Sequence, residues 1–511
     1  MTELQYAARS VLLAGFAGPV VPSWLPREVG LGLGGVCLYG NNVAPGHDLA
    51  ALARSLRELA PTAVLAIDEE GGDVTRLHTT TGSPYAGAAV LGRLDDLEVT
   101  RQVAAGIGAE LAAAGIWLDL APCADVNSDP LNPVIGTRSF GADPALVARH
   151  TEAFVRGLAS AGVAASVKHF PGHGDTRTDS HHGLPTVRAA EDVVRQRELV
   201  PFAAAVAAGT PTVMTSHVVI EAIDPLRPAT FSPVVLGDLL RDELGFDGVI
   251  VTDALDMAGA QGTGPDAIGI PGAAVRSLAA GADLLCLGPE TTTDGAVVIE
   301  QVVEAILAAV DDGTLPAARL LDAAERVARL REEWAVTPAA VAADGATGLA
   351  DPADPHSVTR VARAASLRAA TAALSNVPVL PGPAVVHVDT ASNPAVGETA
   401  WGLPCGSLPG LRSSVRLVPK DLARTSPPTG PSLIVVRGAT RDERVWEWIC
   451  GAVRGNNQTW LVELGWPDPW LSALDRVVCT YGASAASTEA LAKALTHASG
   501  MPSGSLPRRG S

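Results

Sequence analysis

Eight short runs of β-branched and other apolar residues recur along the first 290 residues, and each is followed by an Ala- and Leu-rich helical pattern. A strand followed by a helix, repeated many times, is typical of parallel βα units. Eight such units predict a (β/α)8 TIM-type barrel, and a doubly wound open sheet is the alternative. The runs occupy residues 11–16, 35–39, 63–67, 116–121, 164–168, 212–216, 248–252 and 283–287.

Polar residues stand directly after the carboxyl ends of several of these predicted strands. A barrel brings the carboxyl ends of all its strands to one face, and barrel enzymes carry their catalytic groups there. This placement favours the barrel over the open sheet and predicts an active site on that face. The residues concerned are Asn41, Asp68, Asp125, Lys168, His169, His217 and Asp253.

A change in composition predicts where the barrel domain ends. Between about Ala335 and Pro355 the apolar periodicity disappears, and Ala, Gly, Asp and Pro dominate, as is typical of an inter-domain linker. A smaller α/β unit with four further strand-like runs follows, and a three-layer αβα sandwich is the simplest fold for it. We therefore predict a barrel at 1–345, a linker at 346–358, a sandwich at 359–500 and a disordered tail at 501–511. The four runs are at 384–389, 433–438, 459–465 and 476–482.

Composition restricts the partners and the location of the protein. Hydrophobic residues make up 47% of the chain and charged residues 18%, so it is able to form large cores. A formal net charge of −18 without a Lys/Arg cluster predicts no nucleic-acid partner. The N-terminus lacks a basic signal-peptide region, and no apolar run reaches the ~18 residues of a membrane helix, so we predict a cytoplasmic protein with no membrane partner. The widely spaced cysteines are predicted to be buried free thiols: Cys37, Cys123, Cys286, Cys405, Cys450 and Cys479.

The segment SVKHFPGHGDTRTDSHHGLPTV (166–187) holds four of the 11 histidines of the chain. It follows a predicted barrel strand, which favours catalysis over a purely structural role in capping and backbone hydrogen bonds. A zinc site of His173, Asp175, His181 and His182 is an alternative. The spacing matches no standard zinc pattern, however, so we predict no metal.

Several motifs resemble the N-acetylglucosaminidase branch of glycoside hydrolase family 3. KHFPGHGDT followed by DSHHGLP resembles the signature loop of that branch, and three further motifs match in the same order along the chain. The resemblance covers about residues 30–290, with a weaker similarity of TYGASAASTEALAKAL to the C-terminal domain of the family. The three further motifs are IDEEGGDVTRL (67–77), NPVIGTRSF (132–140) and FDGVIVTDALDM (246–257).

The resemblance implies three catalytic residues. Asp253 corresponds to the nucleophile, His181 to the general acid/base, and Asp179 to the carboxylate that orients His181. A carboxylate at the end of a barrel strand is suited to attack an anomeric carbon, although capping of the next helix is the alternative role for Asp253. His182 is the rival of His181 within the motif, and Asp256 is given no catalytic role.

The resemblance also implies which residues hold the sugar. A sugar with many hydroxyl groups requires charge-assisted hydrogen bonds, although Arg76 and Arg138 are equally suited to bracing loops. No cofactor is implied. The residues implied to surround the nonreducing sugar are Asp68, Arg76, Arg138, Lys168 and His169. At two positions the chain departs from the family pattern, with Asp73 where an Arg is common and Thr137 where an Asp is common.

The activity implied is that of a retaining exo-β-N-acetylglucosaminidase, also called a β-N-acetylhexosaminidase. It would remove terminal β-linked N-acetylglucosamine from small carbohydrates such as muropeptide or chitin fragments, through a covalent glycosyl-enzyme. Three alternatives stay open: a phosphorylase that uses phosphate as acceptor, a β-glucosidase of the same family, and a sugar-binding protein without catalysis.

Overall fold

The computed structural model describes residues 1–44, 47–179, 183–289, 295–335, 355–390, 395–404, 406, 408 and 410–498. Its strands are β1 (Leu12–Ala14), β2 (Gly35–Leu38), β3 (Val64–Ile67), β4 (Leu118–Asp119), β5 (Ala164–Phe170), β6 (Thr186–Val187), β7 (Thr212–Thr215), β8 (Val219–Ile220), β9 (Val249–Val251), β10 (Leu285–Cys286), β11 (Ala384–Val388), β12 (Ser413–Leu417), β13 (Ser432–Val436), β14 (Thr459–Glu463) and β15 (Val477–Cys479).

The α-helices alternate with these strands along most of the chain. A π-helical segment, Val194–Glu198, joins two of the helices, and another spans Val234–Glu243. The helices are α1 (Glu3–Ser10), α2 (Leu25–Gly30), α3 (Leu49–Leu59), α4 (Ala88–Leu94), α5 (Leu97–Ala114), α6 (Pro144–Ser160), α7 (Glu191–Val193), α8 (Leu199–Ala207), α9 (Ala258–Gln261), α10 (Gly269–Ala280), α11 (Gly295–Asp311), α12 (Ala317–Trp334), α13 (Pro355–Ala373), α14 (Glu443–Gly455) and α15 (Ala485–Ala498).

The N-terminal half forms a parallel eight-stranded sheet with the order β10-β1-β2-β3-β4-β5-β7-β9. A parallel bridge between Val251 and Leu284 joins β9 to the residue before β10, so the sheet closes into a barrel. The strands are apolar throughout because side chains on one face fill the barrel interior and those on the other pack under helices. In β3, for example, Ala66 belongs to the inner cluster and Leu65 and Ile67 to the outer one. The (β/α)8 prediction is confirmed, and each of the eight predicted runs overlaps a barrel strand.

The C-terminal half contains a second parallel sheet with the order β12-β11-β13-β14-β15. Side chains alternate along β11, β13 and β14, and these strands are buried on both faces. Ile434 packs in one core with Ile449 of α14, whereas Leu433 packs in the other with Leu491 of α15. The predicted αβα sandwich is therefore confirmed.

Strand β12 is missing from the predictions made on sequence. It is an edge strand that pairs only with β11, and residues 413–416 are exposed. An edge strand with no buried face needs no alternation of apolar and polar residues, so SSVRL carries no strand signal.

Helix α13 connects the two halves. It packs on α5 of the barrel and on α15 of the sandwich. Its fit against α5 is close, because a Cβ atom on Gly106 would lie 2.2 Å from the Cβ of Ala362. The side chain of Arg363 also donates a 2.6 Å hydrogen bond to Glu110. Residues 346–354 of the predicted linker and the predicted tail at 501–511 lie outside the described residues, and the domain boundaries stay a prediction.

The cysteines agree with the prediction of free thiols where the structure describes them. Cys37, Cys123, Cys286 and Cys450 are buried and Cys479 is half-buried, all without a disulfide. Cys405 lies outside the described residues. None of the described helices is long and apolar enough to cross a membrane.

Candidate active site

A cavity of about 580 Å³ lies at the carboxyl ends of the barrel strands. Six of the eight residues proposed from the sequence as site residues line it, because each lies in or just after a barrel strand or in a loop above one. These six are Asp68, Arg76, Arg138, Lys168, His169 and Asp253. Further polar lining residues include Tyr39, Glu70, His173, Asp256, Gln261 and Thr263.

Four charged side chains form a connected cluster on one wall of the cavity. Lys168 Nζ lies 2.5 Å from Asp68 Oδ1 and 2.8 Å from Glu70 Oε1. Arg138 donates through Nε and Nη2 to the two oxygens of Glu70, at 3.0 and 2.7 Å. The bidentate pair fixes the guanidinium plane, and Lys168 bridges two carboxylates. The cluster is therefore a rigid, mostly buried arrangement of alternating charges.

Glu70 is a member of this cluster that sequence reasoning missed. Burial alone would raise the pKa of Glu70, but the charges of Arg138 and Lys168 outweigh it and hold the pKa well below its usual range. Burial would likewise lower the pKa of Lys168, but Asp68 and Glu70 raise it instead. Both groups are thus charged at neutral pH. The signal available in the sequence was a second acid two residues after Asp68, in the same loop.

Asp253 stands two residues after the end of β9. Its Oδ1 accepts a 2.8 Å hydrogen bond from the backbone N–H of Ala254, which orients the carboxylate. His217 holds this turn in place, because its Nε2 lies 3.0 Å from the carbonyl oxygen of Ala254. Two residues that the strand ends indicated do not line the cavity. His217 is buried and Asn41 is exposed. Asp256 also faces the cavity, so it is closer to the site than its lack of an assigned role suggested.

A buried histidine and carboxylate pair lies behind the charged cluster. His169 Nδ1 is 2.6 Å from Asp125 Oδ2, which favours the tautomer that leaves Nε2 toward the cavity side and Arg138. Burial would raise the pKa of Asp125, but its interactions with His169 and the hydrogen bond that it accepts from the backbone N–H of His173 lower the pKa to about 2. Burial lowers the pKa of His173 to about 4, so His173 is neutral at pH 7. Asp125 and His173 are support residues that the sequence did not single out for this role.

Among the described residues, Cys123, Asp125 and His169 lie close enough together to hold a metal ion. Cys123 Sγ is 3.2 Å from Asp125 Oδ2, and Asp125 also accepts the backbone N–H of His173. Hydrogen bonds thus join these side chains to one another and to the backbone of His173. Of the residues weighed as zinc ligands, His173 contacts Thr176 at 2.7 Å and Asp175 pairs with Arg197 at 2.6 Å, so the two are turned to different partners.

Hydrogen bonds from Asn132 fix the first part of the histidine-rich loop. Asn132 donates to the carbonyl oxygens of His173 and Gly174, at 2.9 and 3.1 Å. Gly172 has a φ of +131°, and a Cβ atom there would lie 2.7 Å from Oε2 of Glu198. Asp179 is described and half-buried, whereas His181 and its rival His182 lie outside the described residues. The proposed pairing of Asp179 with His181 stays a prediction.

The C-terminal half contributes to the cavity, which the sequence did not predict. Ala395 lines it, and Arg76 donates to the carbonyl oxygens of Ala395 and Val396 at 2.8 and 3.3 Å. Arg76 also lies 4.0 Å from Asp68. It therefore joins the barrel site to the sandwich while its guanidinium faces the cavity.

The two positions that depart from the family pattern contact each other. Thr137 donates a 2.8 Å hydrogen bond to Asp73 Oδ2. Asp73 Oδ1 accepts a 2.6 Å hydrogen bond from the backbone N–H of Ala483, in the sandwich. The two departures are thus a matched pair at the junction of the two halves, outside the charged cluster.

Comparison with known proteins agrees with this architecture. The sequence profile of the Glycosyl hydrolase family 3 N terminal domain matches residues 29–330. A beta-hexosaminidase A of Pseudoalteromonas piscicida is 35% identical over 339 residues, which are 62% of this chain and 56% of that protein. A beta-hexosaminidase of Xylella fastidiosa (strain M23) is 36% identical over 295 residues, which are 56% of this chain and 85% of that protein.

A solved structure is similar over nearly the whole chain. The structure of a glycoside hydrolase family 3 beta-N-acetylglucosaminidase from Paenibacillus sp. str. FPU-7 has a TM-score of 0.80 and 30% identity, and the similarity covers 98% of this chain and 97% of that one. The profile match spans more than half of this chain and contains the charged cluster and Asp253. The chain therefore belongs to glycoside hydrolase family 3, a family of enzymes that act on carbohydrates.

Proposed function

We propose that the protein is a retaining exo-β-N-acetylglucosaminidase, which removes terminal β-linked N-acetylglucosamine through a covalent glycosyl-enzyme. The observation that carries the proposal is that Asp253 lines the same cavity as the cluster of Asp68, Glu70, Arg138 and Lys168. One carboxylate is thus presented next to a set of groups suited to hold sugar hydroxyls. The names of the relatives from Pseudoalteromonas, Xylella and Paenibacillus support the choice of N-acetylglucosamine as the sugar.

Asp253 is the proposed nucleophile. One of its oxygens attacks the anomeric carbon while the bond from that carbon to the leaving oxygen breaks, which gives the glycosyl-enzyme. The hydrogen bond from Ala254 N–H to Asp253 Oδ1 supports this role because it fixes the orientation of the carboxylate.

The sugar is proposed to be held by Asp68, Arg76, Arg138, Lys168 and His169. Asp68 accepts hydrogen bonds from hydroxyl groups, whereas Lys168 and Arg138 donate them. Because Glu70 and Asp68 already fix the two cations, little side-chain entropy is lost when the sugar binds. Such preorganised polar groups resist misplacement of the anomeric carbon relative to Asp253.

Proton transfer is proposed for His181, with Asp179 as the carboxylate that orients it. His181 donates its proton to the leaving oxygen in the first step. In the second step it accepts a proton from water, whose oxygen bonds to the anomeric carbon as Asp253 leaves. An imidazole is suited to both steps because its unperturbed pKa lies near 6.5.

Muropeptide or chitin fragments are the proposed natural substrates, with cell-wall recycling as the process. A cytoplasmic location stays a prediction from the sequence.

Release of nitrophenol from p-nitrophenyl β-glycosides tests the proposal. We expect turnover of the N-acetylglucosaminide, with free N-acetylglucosamine identified by mass spectrometry whether or not phosphate is present. Formation of N-acetylglucosamine 1-phosphate only in the presence of phosphate would make the protein a phosphorylase. Turnover of the glucoside alone would make it a β-glucosidase, and no turnover of either would favour a sugar-binding protein.

The role of His181 is tested by varying the leaving group. The His181→Ala variant is expected to lose about 10²- to 10⁴-fold of kcat/KM on substrates with a poor, alkyl leaving group, the usual contribution of a general acid. Activated nitrophenyl glycosides need less protonation, so their loss should be much smaller. The matched control is His182→Ala, and an equal leaving-group dependence in both variants would contradict the assignment to His181.

A further inference from the structure

A second, smaller cleft lies at the junction of the two halves of the molecule. Its volume is about 40 Å³, enough for a small charged group rather than a sugar ring. The sandwich contributes Arg437, Arg441 and Trp466, which follow the carboxyl ends of β13 and β14. Ligands of parallel α/β sheets commonly bind at this edge. The barrel contributes Gly136 and Thr137 from the loop above β4.

Within the described residues, the guanidinium groups of two arginines of this cleft make no hydrogen bond and no ion pair. Arg437 is half-buried, its Nε is fully buried without a hydrogen bond, and its guanidinium lies 4.7 Å from the centre of the Trp401 ring. Burial lowers the pKa of Arg437, but a guanidinium keeps its proton at neutral pH. Arg441 is exposed at the mouth, and its guanidinium makes neither a hydrogen bond nor an ion pair in the described chain.

Three described carboxylates at or near the cleft have hydrogen-bond or ion-pair partners other than its two arginines. Asp73 accepts hydrogen bonds from Thr137 and Ala483, and Asp389 pairs with Arg416 at 2.6 Å. Glu463 is buried beneath the cleft, where its two oxygens accept the backbone N–H groups of Gly438, Ala439 and Gly465 at 2.6 to 2.8 Å. Asp73 lines the cleft and its charge acts on Arg437, and Arg441 acts on Glu463, so the positive charge of the two guanidiniums is partly balanced.

The cleft and the main cavity share two walls. Val134 and Arg138 line the cavity, whereas Ile135, Gly136 and Thr137 of the same loop line the cleft. Likewise Ala395 lines the cavity and Val396 the cleft. A substrate whose terminal sugar sits in the cavity therefore has the cleft beside it.

We propose that Arg437 and Arg441 form an oxyanion site that binds a carboxylate or phosphate group on the aglycone, the part of the substrate beyond the bond that is cleaved. The proposal rests on the proposed function, since it assumes that the terminal sugar occupies the cavity. Guanidinium groups bind both oxyanions through charge-assisted hydrogen bonds, and Trp466 offers an apolar surface next to them. The site makes the enzyme selective for acidic aglycones, a preference that the barrel cluster alone does not supply.

A series of matched substrates tests the site. We would compare N-acetyl-β-glucosaminides of ω-hydroxyalkanoic acids of increasing chain length with the corresponding carboxamides, which have the same shape but no charge. At one chain length or more, the acid should have a KM about tenfold below that of its amide, as expected from one charge-assisted hydrogen bond. Equal KM values of acid and amide at every length would overturn the proposal.

Three variants identify the residues responsible. Arg441→Gln and Arg437→Gln should each remove most of the preference for the acid, and leave KM and kcat for the neutral nitrophenyl glycoside unchanged. Arg441 is exposed, so its variant stays informative if Arg437→Gln fails to fold. The matched control is Arg444→Gln, because the Arg444 side chain is 72% exposed and, among the described residues, forms an ion pair with Asp442 alone. A preference for the acid that survives in both cleft variants would overturn the assignment.

Inorganic phosphate distinguishes the two sources of the anion. Phosphate should compete with the acidic substrates and not with the neutral glycoside. If phosphate instead accelerates turnover of the neutral glycoside and yields a sugar 1-phosphate in an Arg441-dependent manner, the anion is the acceptor and the aglycone proposal is wrong. If the parent enzyme does not cleave the neutral glycoside, the proposed function fails separately. The cleft is then tested by comparing how acids and amides raise the temperature of unfolding, and equal effects would overturn it.

Discussion

The barrel and the sandwich both present the carboxyl edge of a parallel sheet to the same junction, but they arrange their charges differently. On the barrel edge Glu70, Asp68, Lys168 and Arg138 neutralise one another in a buried network. On the sandwich edge the guanidiniums of Arg437 and Arg441 make no ion pair within the described residues, and Arg437 contacts the Trp401 ring.

This difference indicates different tasks. A mutually paired network is costly to rearrange, so it holds a substrate in one position relative to Asp253. An unpaired cation near the surface gains most of its stabilisation from a ligand, so it selects which substrate arrives. We therefore propose that the barrel edge carries out the chemistry and that the sandwich edge recognises the leaving portion.

Replacing Asp253 tests this division most severely. Asp253→Gly should lose about 10³-fold or more of kcat on acidic and neutral substrates alike, because no covalent intermediate forms. Azide should restore part of the turnover and give the α-glycosyl azide, which mass spectrometry and NMR identify. Asp266→Asn is the control, since Asp266 is exposed in the following loop. Unimpaired turnover in Asp253→Gly would contradict the nucleophile assignment.

Breaking the paired network should cost stability as well as activity. Glu70→Gln removes the partner of Arg138 and Lys168 and leaves two buried cations short of one negative charge. We expect a loss of about 3–5 kcal/mol of unfolding free energy, measured by urea denaturation, with a fall in kcat/KM. The control Glu98→Gln removes an exposed pair with Arg101 and should change stability by less than about 1 kcal/mol. Equal stability of the two variants would mean that the network is not the rigid element described.

A buried acid beneath the barrel loop predicts a pH dependence of stability. Burial raises the pKa of Glu198 to about 7, above the value of about 4.3 for an unfolded chain. The carboxyl group is protonated in both states below pH ~4, so it costs nothing there. As the pH rises from about 4 through the folded pKa of about 7, the carboxyl group ionises more easily in the unfolded state than in the folded state. The free energy of unfolding therefore falls over this range.

Glu198→Gln should remove this loss. The free energy of unfolding of the variant, relative to that of the parent, is expected to rise by about 3 kcal/mol as the pH increases from about 4 to about 8. Urea denaturation at several pH values measures it. Glu191→Gln is the control, because Glu191 is an exposed residue that pairs with Arg195. A difference between parent and Glu198→Gln that stays constant with pH would show that the raised pKa is wrong.

The smallest expected effect concerns the contact between α5 and α13, the helix that connects the barrel to the sandwich. Gly106→Ala would force the added Cβ against Ala362 and should cost about 1–3 kcal/mol of stability. Gly451→Ala in α14 is the control, since nothing lies within 4 Å of the added Cβ, and it should gain up to about 1 kcal/mol. A parent-like stability of Gly106→Ala would contradict the close packing of α5 and α13.

Much of the site was predictable because strand ends are local features of sequence. A strand needs a run of apolar residues, and in a barrel the residues at its carboxyl end reach the catalytic face, so the positions of Asp68, Lys168, His169 and Asp253 indicated that face. Their individual roles came from the resemblance to the family. Glu70 was missed because its role depends on Arg138, which lies far along the chain. Arg437 and Arg441 were missed because a surface arginine has the same sequence signal whether or not it faces another domain.

The sequence by itself determined the two α/β units, the family and the residues at the ends of the barrel strands, since these depend on local periodicity and on contiguous motifs. Only the tertiary structure decided that Arg76 binds the backbone at Ala395 and Val396, that Asp73 pairs with Thr137, and that a cationic cleft borders the cavity. These are contacts between residues separated by tens to hundreds of positions. Their geometry is set by how the two halves pack through α13, which no local pattern encodes.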